Sequence, residues 1–125
     1  MGWIPEGGDF HRAIPVRVMD TRSGPQGHGT IQPGGSFTVG VLGQRGLPAR
    51  AKAVALNVTA ADPRQPGFLT VHQAFGAPPR TSTVNFPAGQ SIANSAIAKV
   101  NPDGTVVIYS MAWTHIVVDV TGWWE

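Results

Sequence analysis

The sequence predicts an all-β fold, a single-domain antiparallel β-sandwich of about eight short strands. Three observations predict it. Sixteen glycines and eleven prolines in 125 residues disfavour long helices, whose interiors tolerate neither residue. A hydrophobic fraction of 42% supports a packed core and sets the chain apart from disordered sequences. Apolar residues also recur at every second position in short segments divided by turn chemistry, the pattern of half-buried strands. The length suits one domain that buries its own core. A closed barrel or a trefoil-like arrangement is the alternative.

After an N-terminal extension, residues 1–13, the body of the domain spans 14–124 and opens with IPVRVMD at 14–20. SFTVGV at 36–41 comes after the QPGG turn, and AVALNVTA at 53–60 and GFLTVHQ at 67–73 flank ADPRQPG. TSTVNF at 81–86 lies between GAPPR and FPAG. SIANSAIAKV at 91–100 and GTVVIYS at 104–110 flank NPDG, and THIVVDVT at 114–121 closes the series. The intervening stretches are turns with a mechanism: proline presets φ, Asn and Asp bond their own backbone, and glycine accepts positive φ. NPDG is the clearest hairpin signal, and Pro102 with the four-residue length argues for a type I turn with Gly104 past it. The strand, Pro-containing turn, Gly, strand order occurs twice, at AVALNVTAADPRQPGFLTV and SAIAKVNPDGTVVIY. Two copies are too few for a repeat architecture.

Charge and composition exclude several functions. The net charge is +2 and the basic residues are scattered, unlike the clustered patch that phosphate backbones require, so nucleic acid is not the expected partner. Without cysteine there is no disulfide, thiolate or Cys-based zinc chemistry. No apolar run approaches the ~20 residues of a membrane-spanning helix. The N-terminal MGWIPEGGDFHRA shows no signal-peptide pattern.

Alternation places Ile116, Val118 and Val120 on one face of the last segment and His115, Val117 and Asp119 on the other. The same count turns Leu56 and Val58 inward with Asn57 and Thr59 opposite, and sets Asp20 and Arg22 on one side. Three segments thus each present a short polar residue, Asp20, Asn57 or Asp119, with Arg22 expected to bridge the acids. One reading is a structural network tying strands together; the other is a polar cleft that bonds a ligand. As acids, Asp20 and Asp119 are also the pair able to fill the two roles of a glycosidase, but short loops offer little cleft, so no catalytic residues are assigned. The histidines His11, His28, His72 and His115 have no ligand spacing for a metal, and no cofactor is expected.

The aromatics carry the binding hypothesis. Trp or Tyr rings stack on the apolar face of a pyranose, while polar neighbours fix its hydroxyls. Trp3, Trp113, Trp123 and Trp124 lie at the margins of predicted strands rather than in their middles. Adjacent Trp123 and Trp124 point to opposite faces, so one packs and the other stays exposed. Trp113, in a turn, is the best single candidate for stacking. Tyr109 alternates with Val107, and His72 and Gln73 end a strand as polar partners. The candidate ligand-binding set is therefore Trp113, Trp124, Trp123, Tyr109, His72, Asp119, Asp20 and Arg22.

PVRVMDTRSG, LPARAKAVALNVTAADPRQPGFLTV, STVNFPAGQSIANSAIAKVNPDGTVVIY and THIVVDVTGWW together resemble a β-rich accessory module that recurs in secreted and cell-surface actinobacterial proteins, often beside cell-wall hydrolases, peptidases or glycosidases. The resemblance implies an extracellular setting, secreted or at the cell surface, and an accessory binding role. Such modules close with a single aromatic after DVxG, whereas this chain has two. The expected function is a non-catalytic, lectin-like carbohydrate-binding module whose partner is a polysaccharide or cell-wall glycan. The alternatives are a structural or assembly module binding protein or forming a homo-oligomer, and a small glycan hydrolase.

Overall fold

A computed structural model describes residues 9–23, 29, 31–72 and 84–125. Among these, the strands are β1 (Phe10–Asp20), β2 (Gly35–Gly40), β3 (Ala53–Ala61), β4 (Gly67–His72), β5 (Val84–Phe86), β6 (Ile92–Lys99), β7 (Thr105–Ser110) and β8 (His115–Trp124). They form two antiparallel sheets of four, β1-β8-β3-β6 and β2-β7-β4-β5. The sheets do not close into a barrel, and no helix occurs among the described residues. The expected sandwich is the fold.

The inner faces hold the apolar half of each alternating segment. Leu56, Val58, Ile116, Val118 and Val120 of the first sheet share one buried cluster with Val39, Leu69, Val84, Phe86, Val106 and Ile108 of the second. Burying such side chains stabilises by about 1.5–3 kcal/mol each, and neither sheet can hide its apolar face alone. β8 is an interior strand of the first sheet: it hydrogen-bonds to β1 on one side and β3 on the other.

Two predicted boundaries shift for a common reason. β1 starts four residues before IPVRVMD and β8 runs three beyond THIVVDVT, because Phe10, His11 and Arg12 pair with Trp124, Trp123 and Gly122. Each segment lacks a strong strand pattern there, and the ladder between them supplies the order. Residues 73–83, which include Gln73 and the start of TSTVNF, lie outside the described residues, as do Trp3 and His28.

The turn at NPDG has the expected geometry. Gly104 has φ +82°, and its N–H donates to Asn101 O at 2.9 Å, a tight turn that only a residue tolerating positive φ closes without strain. It is not a hairpin within a sheet, however: β6 belongs to the first sheet and β7 to the second. The ADPRQPG turn likewise carries the chain from β3 across to β4. Of the sequential strand pairs, β4 and β5 alone stay in one sheet; every other connection bridges the two layers at an end of the sandwich.

Replacing Ile116, fully buried in β8, with alanine is expected to destabilise the domain by about 2–5 kcal/mol, read as a lower urea midpoint at unchanged slope. A cost below ~1 kcal/mol would contradict the packing described.

Candidate functional site

The outer face of the β1-β8-β3-β6 sheet gathers the polar residues that alternation sets opposite the core. Register aligns Arg17, Asp119, Asn57 and Ser95 in one row across all four strands. Arg17 Nε donates to Asp119 Oδ1 at 3.0 Å and Nη2 to Oδ2 at 3.3 Å. Arg17 Nη1 also lies 3.7 Å from Asp20 Oδ2. The guanidinium that reaches both acids is therefore Arg17's, where the sequence suggests Arg22. A β-bulge explains the difference. Arg17 pairs with Asp119 and Met19 with Val118, so Val18 is the extra residue, and Arg17 and Asp20, of opposite parity, come to share a face. Arg22 serves Asp20 alone of the two: its Nε and backbone N–H donate to Oδ1 at 3.0 and 3.1 Å, and Nη2 to Oδ2 at 3.0 Å. The side-chain bonds from Arg22 hold the Asp20 carboxyl below its ordinary range, against the opposing effect of burial.

A second bulge orients the tryptophans. Ala55 pairs with Gly122 and Leu56 with Val120, which leaves Thr121 unpaired and reverses the parity of β8 beyond it; Thr121 Oγ1 donates to Ala55 O at 3.2 Å. Trp123 consequently turns inward, packs against the core and stacks on the His11 ring at 5.4 Å and 15°. Trp124 turns outward, opposite Phe10 and Ala53. The Phe10 and Trp124 rings lie 4.6 Å apart at 48°. A Cβ added at Gly122 would lie 2.5 Å from Phe10 Cζ, so glycine is what lets that ring settle onto the sheet. Phe10 remains 49% exposed and Trp124 is half-buried. The result is an aromatic platform on the outer face, at the end of β8 away from Asp20.

The remaining candidates do not converge on it. Trp113, half-buried, sits in the β7–β8 corner, where its carbonyl accepts from Arg64 N–H at 2.9 Å and its own N–H donates to Gln65 Oε1 at 3.4 Å. It precedes the strand that Trp124 ends, so the two indoles stand roughly 30 Å apart by strand rise. Tyr109 and His72 lie on the outer face of the second sheet, since Val106, Ile108, Leu69 and Val71 face the core. There Tyr109 stands beside Phe68, ring centroids 6.2 Å apart, and its hydroxyl meets Met111 Sδ at 2.8 Å. The eight candidates thus occupy separate regions, and one ligand cannot touch them all. Phe10, Arg12, Arg17 and Lys99 are the residues that sequence reasoning missed; residues 10–12 carry no strong strand pattern of their own, and the pairing with β8 is what makes them part of a strand.

Two open depressions are lined wholly by described residues. One of about 410 Å³ lies at a sandwich end, between Leu42, Arg50, Val100, Asn101 and Gly104, and none of the sequence-predicted site residues lines it. The other, about 390 Å³, is formed by Arg12, Ala13, Ile14 and Pro15, where β1 bows away from β8 between Arg12 and Val16, next to the aromatic platform. Among the described residues no three His, Cys, Asp or Glu side chains group as metal ligands, and no helix is long and apolar enough to cross a membrane. No protein-family model, curated protein or solved structure matches the chain.

A carboxyl held low in the fold contributes stability above its unfolded pKa of about 3.9, and that contribution disappears as pH falls through the lower folded value. Asp20→Asn is therefore expected to lower stability at pH 6, by about 1 kcal/mol, with the gap to wild type closing between pH 4 and pH 2. Urea midpoints across that range test it; a gap independent of pH would remove the ion network from the account.

Proposed function

We propose that the chain is a non-catalytic, lectin-like carbohydrate-binding module, acting outside the cell or at its surface, that holds a polysaccharide or cell-envelope glycan against the outer face of the β1-β8-β3-β6 sheet. The observation that carries this reading is the Phe10 and Trp124 platform, set on the small residues Gly122 and Ala53 of a sheet that carries the polar row from Arg17 to Ser95 further along the same face. A pyranose laid on the Trp124 ring gains apolar burial and the attraction of its C–H edges to the π face. Arg12 is near enough to orient hydroxyls, and the depression beside it gives the chain of sugars a path across the sheet edge. The resemblance to accessory modules of secreted actinobacterial proteins points the same way.

A non-catalytic role is supported by the state of the acids. A general acid needs a raised pKa, and inverting or retaining chemistry needs two carboxyls free to work. Asp20 is instead held low by Arg22, and Asp119 is bound by both oxygens to Arg17. One observation favours a second reading, assembly: Ile14 is 88% exposed on the edge strand β1, an apolar side chain of the kind that seeds contacts between chains.

Trp124→Ala is expected to weaken glycan binding at least 10-fold, about 1.4 kcal/mol, in affinity electrophoresis or calorimetry, with Trp113→Ala close to wild type. Silence of the wild type across a glycan array, together with a dimer in light scattering that Ile14→Ser dissolves, would replace the first reading by the second.

A further inference from the structure

The platform carries an electrostatic signature that narrows the ligand. Arg12, opposite Gly122, and Lys99, opposite Ala53, both fall on the outer face with Trp124. Arg12 is on β1 and Lys99 on β6, so they flank the ring from the two edge strands of the sheet, roughly 16 Å apart by three strand spacings and a two-residue offset. Among the described residues Arg12 makes no ion pair. The acids nearby are directed elsewhere. Asp119 and Asp20 are bound to Arg17 and Arg22, and the carboxylate of Glu125, which comes directly after Trp124, lies 3.3 Å from His11 Nε2, a residue on the inner side with Trp123. Asp9 shares that inner parity. Among the described residues, the charged side chains that face outward beside the ring, Arg12 and Lys99, are cationic.

Resting on the carbohydrate-binding reading, we infer that the ligand is an anionic polysaccharide of the uronic acid type. In such a sugar the carboxylate is carried by the pyranose ring itself, so stacking on Trp124 brings the acid within the same residue's reach of a flanking cation. A planar guanidinium such as Arg12 pairs a carboxylate through two parallel hydrogen bonds, and the ammonium of Lys99 supplies the attraction as a point charge. A phosphodiester between sugars would place its charge away from the stacked ring. The whole-chain charge of +2 is too small to attract polyanions indiscriminately, so preference arises from where the charges stand.

The test compares polygalacturonate with its fully methyl-esterified form, which keeps the backbone and removes the charge. Wild type is expected to bind the acid at least 10-fold more tightly than the ester at 50 mM NaCl. That preference collapses at 0.5 M NaCl, where the Debye length is a few Å (~4 Å), and also in Arg12→Gln and in Lys99→Gln, each checked for an unchanged melting temperature. The salt arm needs no variant and stands if either substitution unfolds the protein. Equal affinity for acid and ester overturns the inference and leaves the carbohydrate-binding reading intact. Binding of neither, with no other glycan bound, overturns the carbohydrate-binding reading itself. Oligothymidylate bound as tightly as polygalacturonate, with the same salt dependence, overturns the inference in favour of a charge-only surface.

Discussion

The strand β8 is wedged between β1 and β3, and its two faces must be satisfied at once. Ile116, Val118 and Val120 have to enter the core, and a slip of one residue would bring Asp119 inward in their place. Burying that carboxylate unpaired would cost several kcal/mol or more. The valines and isoleucine therefore set the register of β8 against both neighbours, and the register in turn puts Arg17 and Asn57 on either side of Asp119. The Arg17 guanidinium then neutralises the acid through two hydrogen bonds. Hydrophobic burial chooses the alignment; the ion pair is its consequence and stabilises less.

Two β-bulges divide this strand's surroundings into regions with different work. At Val18 the extra residue lets Arg17 and Asp20 face the same way, and four alternating charges from Asp119 to Arg22 form one network at that end. At Thr121 the extra residue reverses the faces of Gly122, Trp123 and Trp124. Without it Trp124 would enter the sandwich and Trp123 would lie outside. With it, Trp123 closes the end of the core and Trp124 joins Phe10 on the open face. The pairing of β8 with β1 and β3 holds both rings in place, and side chains positioned by folding lose less ordering entropy on binding.

The connections add a further constraint. Since almost every strand crosses to the other layer, neighbours in a sheet are distant in sequence, as β1 and β8 are. Pairings of this kind close large loops before any contact rewards them, which slows folding relative to local hairpins. The first and last of the described strands, β1 and β8, lie side by side, and each orders the weaker part of the other.

Legibility varies by element in a way that has a physical cause. The β character, the positions of β2, β3, β4, β6 and β7 within a residue or two, the turn at Asn101–Gly104, and the inward set Leu56, Val58, Ile116, Val118 and Val120 were all readable, because they depend on local propensity and a period of two. That Trp123 and Trp124 diverge was readable for the same reason. Which of them faces outward was not, nor that Arg17 rather than Arg22 joins the acids, nor that Phe10 and Lys99 lie in one row with Trp124, nor that the NPDG turn changes sheets. Each of these depends on a partner strand far away in sequence or on a bulge defined by two strands together. Residue order along the chain determines what each strand can bury; only the pairing of strands decides which side chains meet on the surface that remains.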